Sequence, residues 1–357
     1  MQAELPKTPA SDCLDRYLSE GWFRTGGLMA YAPLITIHRD VWATVPIRVP
    51  LHRYQPSRSL RRMLRKNGDR FRTEVGPATS DAARESLYRE TSKRFAGYRY
   101  ESLSEMLTAE PFDRLFDTRE VSVWDGDRLV ATSYFDTGQH SVASLLGLYD
   151  PEYKPFGLGV YTMLLEVEHA VAHGYRYYYP GYVLVGNPWL DYKLRLQPMQ
   201  YRSPSGRWRT RATAPIRDRL CNRIQQRRAR LERALSRAGV VHRRRIYPMF
   251  WMEDLGVATL LDFDPVGSPV LIEIGARGVE TGGWIVEVSR EDGPAYRVSE
   301  AAPKRGIDDW IEGGKTEEIE DPVYVIEPLE RLCDPIAVDT VDAVLAALPS
   351  RPGNGAA

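Results

Sequence analysis

Apolar and polar positions change rhythm several times along the chain, and each change predicts an element. Apolar, β-branched segments near Leu28 to Tyr31 and over Val41 to Val49 predict strands. Ser11 or Asp12 stands ready to cap a short helix reaching Trp22, and Ser57, just after a proline, to cap one that runs to about Asn67 and stops at Gly68. A longer helix is expected over Asp81 to Phe95, followed by a less regular stretch to Arg119. Glu120 to Trp124 and Arg128 to Phe135 then flank Asp125-Gly126, a strong hairpin signal, and Ser141 to Tyr149 makes a third strand. From Gly157 to His173 the rhythm becomes helical: Val160, Leu164, Val167 and Val171 recur at steps of four, three and four, which predicts one buried face. Tyr175 to Tyr179 reads as the next strand. Residues Arg217 to Ala238 are again helical, with Leu220, Ile224, Leu231 and Leu235 as a sparse apolar face. After Pro248, short strands broken by Gly and Pro lead to a helix near Val338 to Leu348. No internal repeat is visible, and Met1 to Ala10 and Pro352 to Ala357 read as loose tails.

At 357 residues the chain exceeds the usual size of a single core, so two or three domains are expected. It has no apolar run of membrane-spanning length and no signal-peptide pattern, from which a cytoplasmic protein without membrane association is expected. Cys13, Cys221 and Cys333 are few and far apart, which argues for free thiols and against a CxxC metal site. The formal net charge of zero conceals a polarity: from Trp251 onward 22 acidic residues face 8 basic ones. The first 250 residues are correspondingly basic, as a polyanion-binding surface requires. The acidic segment is expected to act as a polyanion mimic, as a docking platform for a basic protein, or as a packed structural unit.

Several motifs stand in a telling order. Asp150-Pro151 precedes Gly157-Leu158-Gly159-Val160-Tyr161; then come Tyr177-Tyr178-Tyr179-Pro180-Gly181-Tyr182, Asp191-Tyr192-Lys193 and Gln197-Pro198. Upstream lie Gly21-Trp22, Tyr31-Ala32-Pro33, Val45-Pro46-Ile47-Arg48 and the basic run Pro56-Ser57-Arg58-Ser59-Leu60-Arg61-Arg62, with Arg65-Lys66-Asn67 after it. Over roughly the first 205 residues this order resembles the aminoacyl-tRNA–protein transferases, arginyl and leucyl, which extend a protein's N-terminus with an amino acid taken from tRNA. The resemblance, together with the pattern of elements, implies a mixed α/β (α+β) fold with a GNAT-like acyltransferase core. The expected organisation is an N-terminal family region with a basic helix (1–75), a catalytic domain (76–205), an arginine-rich helical segment (206–247) and an acidic C-terminal α+β module (248–350).

The chemistry expected of these residues is ester aminolysis. An aminoacyl ester is already activated, so the protein must position it, deprotonate the attacking amine and stabilise the oxyanion. Helix N-termini offer free N–H groups, and Gly157 and Gly159 allow a ligand to approach them; the bland reading is tight packing. Tyr192 and Lys193 match a Tyr-Lys pair of the family and are catalytic candidates, the lysine to hold a terminal phosphate or ribose and the tyrosine to stack on adenine or hydrogen-bond the leaving 3′ oxygen; otherwise they are a surface ion pair and a packed tyrosine. Glu166, Asp191 and Tyr182 are candidates for deprotonating the amine or binding the aminoacyl group, and Tyr161 belongs to the glycine-led motif. Arg58, Arg61, Arg62, Arg65 and Lys66 recur at steps of three and four, so one helix face can meet a phosphate backbone, although such faces are often only solvated.

The chain also departs from the family. Many members carry a cysteine cluster, associated with a metal or iron–sulfur centre, where Ile35 to Val45 here has none, so no iron–sulfur or zinc site and no cofactor beyond aminoacyl-tRNA is expected. Leu196 replaces a common aromatic residue, and glycine stands near position 157 where serine is usual. His169 and His173 lie one turn apart, with Glu166 in Glu-x-x-His spacing, but the second ligand pair of a carboxylate-bridged site is missing. The partners implied are tRNA and a protein or peptide acceptor. Two rivals stay open: a GNAT acyltransferase using acyl-coenzyme A, through the Lys154 to Gly159 loop, and a non-catalytic RNA-binding protein.

Overall fold

The computed structural model describes residues 2–4, 10–37, 39–94, 100–108, 116–210, 219–254, 263–290, 292–305, 323–325 and 327–349. The expected tail over Pro352 to Ala357 lies outside them. In the N-terminal region, β1 (Gln2–Glu4), β2 (Phe23–Thr25) and β3 (Leu28–Tyr31) form a small antiparallel sheet beside helix α1 (Ala10–Ser19). Strands β4 (Leu34–Ile37) and β5 (Asp40–Pro50) form a hairpin, and β5 runs on into the main sheet.

Helix α2 (Arg58–Gly68) begins where expected: the Ser57 hydroxyl accepts the Leu60 N–H. Gly68 is its last residue rather than a left-handed stop, because the helix ends through Asp69 in the right-handed region. After β6 (Arg72–Pro77), Asp81 caps α3 (Ala82–Ser92) by accepting the Arg84 N–H, and α4 (Leu103–Thr108) packs beside it. The hairpin of β7 (Thr118–Asp125) and β8 (Arg128–Thr137) closes on the Asp125 and Arg128 pair, with Gly126 in the positive-φ conformation of its two-residue turn. Strand β9 (Ser141–Tyr149) completes the antiparallel set, α5 (Leu158–Ala172) crosses over, and β10 (Tyr177–Leu184) returns parallel to β9. With β11 (Gln200–Arg202) and β12 (Trp208–Arg209), the sheet runs β12-β11-β5-β10-β9-β8-β7-β6, with β4 attached to β5. This is a mixed α/β architecture, in which an antiparallel set is joined through α5 to the parallel pair β9 and β10.

Two expectations need correction here. Leu164 and Val167 of α5 are buried as expected, but Val160 is only half-buried and Val171 is 49% exposed, and the buried positions also include Leu158, Tyr161, Thr162, Met163, Glu166 and Ala170. Contacts with the sheet on one side and with α2 on another bury more than a single stripe. Strand β10 does not stop at Tyr179: a bulge between Tyr178 and Gly181 absorbs Pro180 and lets pairing with β5 continue to Leu184.

Helix α6 (Arg219–Arg237) and β13 (His242–Ile246) join the C-terminal unit, whose sheet β13-β14-β15-β16-β17 is built with β14 (Val270–Ile274), β15 (Gly283–Val288), β16 (Tyr296–Pro303) and β17 (Leu329–Arg331). Strand β18 (Ile336–Val338) also pairs with β16, and Thr340 caps the final helix α7 (Val341–Ala347). Cys221, Ile224, Leu231 and Leu235 of α6 share one core with this sheet and with Leu34, Val41 and Ala43 of β4 and β5. The two halves of β5 therefore belong to different cores: Val41 and Ala43 to the C-terminal one, Val45, Ile47 and Val49 to the catalytic one. Among the described residues, no helix is long and apolar enough to cross a membrane.

Candidate active site

The site opens where β9 and β10 part. They pair only from Tyr177 with Ser141 to Tyr179 with Ala143. Just beyond, β9 carries a bulge against β8 at Leu145, and β10 carries its own at Pro180. The irregular backbones diverge and leave two cavities, of about 410 and 390 Å³, that share Ser144, Leu145, Leu146, Pro180, Trp189 and Lys193 as common wall. The first lies at the start of α5, against Gly157, Gly159, Lys154 and Arg94. The second lies on the N-terminal side, walled by Leu14, Leu18, Trp22, Phe23 and Tyr182.

Gly157 holds the turn into α5 with φ of 64°, which favours glycine, and a Cβ there would come within 3.1 Å of Met63. Gly159 is less constrained: a Cβ would make an ordinary 3.5 Å contact with the Tyr149 ring. Glu166 projects from α5 into the floor of the first cavity and is fully buried. Its Oε2 accepts the Tyr178 hydroxyl at 2.7 Å, whereas Oε1 has no hydrogen-bond partner among the described residues. Burial pushes the Glu166 carboxyl up to about 7, opposed by Ser133, Tyr178, Ser144 and the charge of Lys193. Lys193 reaches the common wall from the 3₁₀ turn over Pro188–Arg195, its Nζ 3.5 Å from the Tyr182 carbonyl and 5.5 Å from the Tyr182 ring centre. Burial lowers Lys193 to about 8, with Glu166 opposing the shift. An acid and a base that titrate near neutrality thus border one cleft, which suits proton transfer from an amine.

Tyr192 lines the first cavity with 42% of its surface exposed; burial around its hydroxyl, then Glu166, raises it to about 12. Tyr182 lines the second, stacks against Phe23 at 5.2 Å and is raised by burial to about 12. Asp191 is exposed and lines neither cavity. Tyr161 is also outside both, because its helical position turns it into the core. Arg58, Arg61, Arg62, Arg65 and Lys66 are all exposed on α2. Asn67 donates to the Phe156 carbonyl at 3.0 Å, which ties the Arg65–Lys66 end of that helix to the start of α5. The rings of His169 and His173 stack at 3.9 Å, and burial, then His173 and Arg119, lowers His169 to about 4. Glu166 faces Tyr178 instead of them.

Sequence reasoning passed over Ser144, Tyr178, Trp189 and Arg94. The period-two alternation of a strand is the available signal for Tyr178, which packs in the core of α5 while Tyr179 packs with α1 on the opposite face. Nothing local marks Ser144, which gains its place only from the bulge at Leu145.

An aspartate/glutamate leucyltransferase of Paramagnetospirillum magneticum is 30% identical over 213 residues, covering 57% of this chain and 82% of that protein. The chain belongs to the aminoacyl-tRNA–protein transferase family. The family model described as "Arginine-tRNA-protein transferase, C terminus" matches residues 79–203 of this transferase, the stretch that holds both cavities' common wall. The leucyltransferase of Leptospira interrogans is 27% identical over 212 residues, 57% of this chain and 80% of its own length. That of Shewanella oneidensis is 30% identical over 195 residues, 54% and 79% respectively. This member is an aminoacyltransferase without the cysteine cluster, and the family's activity is the transfer of an amino acid from aminoacyl-tRNA to protein.

Proposed function

We propose that this transferase joins an amino acid from aminoacyl-tRNA to the α-amine of a protein or peptide, with the 3′ ester held in the first cavity and the amine entering from the second. The observation that carries this reading is the common wall: Ser144 and Lys193 border both cavities, and Glu166 lies at the floor of the first. Free N–H groups at the start of α5, with Arg94 and Lys154 beside them, suit the terminal phosphate of tRNA, and the cations of α2 suit the stem behind it. Glu166 takes the proton of the attacking ammonium. Lys193 stabilises the oxyanion as the ester carbonyl becomes tetrahedral, and Tyr192 stands ready to protonate the leaving 3′ oxygen.

The relatives it resembles are named aspartate/glutamate leucyltransferases. Leucine as donor and N-terminal aspartate or glutamate as acceptor are therefore our reading of the substrates. The test is a mass-shift assay with a mixed aminoacyl-tRNA pool and peptides that differ only in the first residue. A gain equal to one leucyl residue on acidic N-termini is expected. Labelling from acetyl-coenzyme A with none from the tRNA pool would replace this reading by the acyl-coenzyme A one.

A further inference from the structure

Helix α6 is arginine-rich, but its arginines do not all face the same surroundings. Arg223 pairs with Asp292 at 2.7 Å, Arg227 donates to the Ser289 carbonyl at 2.8 Å and Arg228 meets Glu232 at 3.4 Å. Arg230, Arg233 and Arg237 are exposed and make no ion pair among the described residues. Their steps of three and four place them on one side of the helix, opposite the buried stripe that includes Leu231 and Leu235.

The strand under α6 decides which way that stripe faces. Val41, Ala43, Val45, Ile47 and Val49 alternate along β5 and so lie on one face of it. The first two pack in the core of α6 and the last three in the core of α5, so both helices cover the same face of the sheet. Helix α2 packs on α5, which puts its five exposed cations on that side as well. Strand β5 has eleven residues, about 35 Å at the usual rise, so both basic helices fall within reach of one folded RNA. Beyond Trp251 the chain carries 22 acidic residues against 8 basic ones, and this field turns a polyanion away from the rest of the module.

We propose that Arg230, Arg233 and Arg237 form a second phosphate-binding stripe, which holds the body of the tRNA while α2 holds its acceptor end. The proposal rests on the transferase reading for the identity of the RNA, and on the charge and placement of α6 for the rest.

The experiment uses the full chain with Arg230→Ala, Arg233→Ala and Arg237→Ala combined, and measures binding of uncharged tRNA and of an acceptor-stem minihelix across a salt series. For whole tRNA the affinity at low salt should fall about tenfold or more, and the salt slope should flatten by up to about 3. The minihelix should bind both forms alike. Arg89→Ala with Lys93→Ala, on α3, is the control: Leu87 and Tyr88 pack with Leu129, Tyr134 and Leu148 on the other face, so neither RNA should notice. An unchanged tRNA slope overturns the stripe, as does an equal loss for tRNA and minihelix. Loss of binding to poly-glutamate with an unchanged tRNA slope assigns the face to an acidic protein and also overturns it. A stripe-dependent tRNA slope in a protein that transfers nothing leaves the stripe standing and sinks the transferase reading.

Discussion

The surroundings of Arg331 in the C-terminal unit and those of Glu166 and Lys193 in the cleft treat buried charge in opposite ways. In the C-terminal unit Arg331, almost fully buried, pairs with Glu287 at 2.7 Å and Glu253 at 3.1 Å and reaches Asp264 at 2.7 Å; these carboxylates hold its charge more firmly than usual. Arg245 also lies between Glu273 and Glu280, although its Nε has no hydrogen-bond partner among the described residues. In the cleft, among the described residues, Glu166 keeps one carboxylate oxygen without a hydrogen-bond partner, and Lys193 meets no carboxylate but a carbonyl at 3.5 Å and the Tyr182 ring. Burial drives both toward their neutral forms. Complete pairing removes a charge from titration near neutrality; incomplete pairing leaves it able to gain or lose a proton there. The first arrangement serves the fold, and the second is the one that the proposed proton transfer requires.

Glu166→Gln is expected to break the comparison most sharply. It keeps the shape and an acceptor for the Tyr178 hydroxyl but removes the base, so the transfer rate should fall by about 10²- to 10⁴-fold. Thermal denaturation should show equal or greater stability, since an uncompensated buried charge is gone. A rate within threefold of the parent would remove Glu166 from the chemistry.

The mirror experiment is Arg331→Met. It strands the carboxylate of Glu287 in the interior, and urea unfolding should reveal a loss of about 3–5 kcal/mol. The transfer rate per folded molecule should hold. A loss below about 1 kcal/mol would mean that the pairing contributes little.

The pH dependence sharpens the same contrast. With Glu166 at about 7 and Lys193 at about 8, the rate should rise as Glu166 ionises and fall as Lys193 loses its proton, a narrow bell between those values. Glu166→Gln should erase the acidic limb. For stability the sign is opposite: the raised folded value of Glu166 stabilises the protein below its ordinary carboxylate range, and that contribution is lost as pH rises through about 7. A stability curve that rises over this window, with Glu166→Gln behaving identically, would contradict the assignment.

The smallest effect is expected on the surface. Arg61, Arg62 and Arg65 changed together to alanine should weaken tRNA binding and flatten its salt slope by up to about 3, without changing the rate at saturating aminoacyl-tRNA. An unchanged slope would take this face out of the binding surface.

Local signals carried much of the fold. Ser57 and Asp81 cap the helices they were expected to cap, the hairpin signalled by Asp125-Gly126 closes through Gly126 and Asp127, and β9 spans Ser141–Tyr149 as expected. These features depend on neighbours a few residues away, which is the range over which sequence patterns act. The run through Pro180 was harder: a proline normally ends pairing, and only the divergence of β9 and the bulge against β5 let the strand continue. The acidic segment was left with three readings, and its shared core with Leu34, Val41 and Ala43 supports the packed one. Truncation after Arg245 would strip cover from those residues.

By itself the sequence determined the order of elements, the opposed charges of the two parts and the motifs that mark the transferase family, because each is a matter of residue type and spacing. Tertiary structure alone decided which candidates meet. Glu166 and Lys193 are 27 positions apart and reach one cleft through the parting of β9 and β10, whereas Asp191, two positions from Lys193, stays at the surface. Tyr161, inside the glycine-led motif, turns into the core. The physical reason is that desolvation and proximity act through space: a carboxyl becomes a base near neutrality only when the fold buries it and leaves one oxygen unpaired, and spacing along the chain does not encode that.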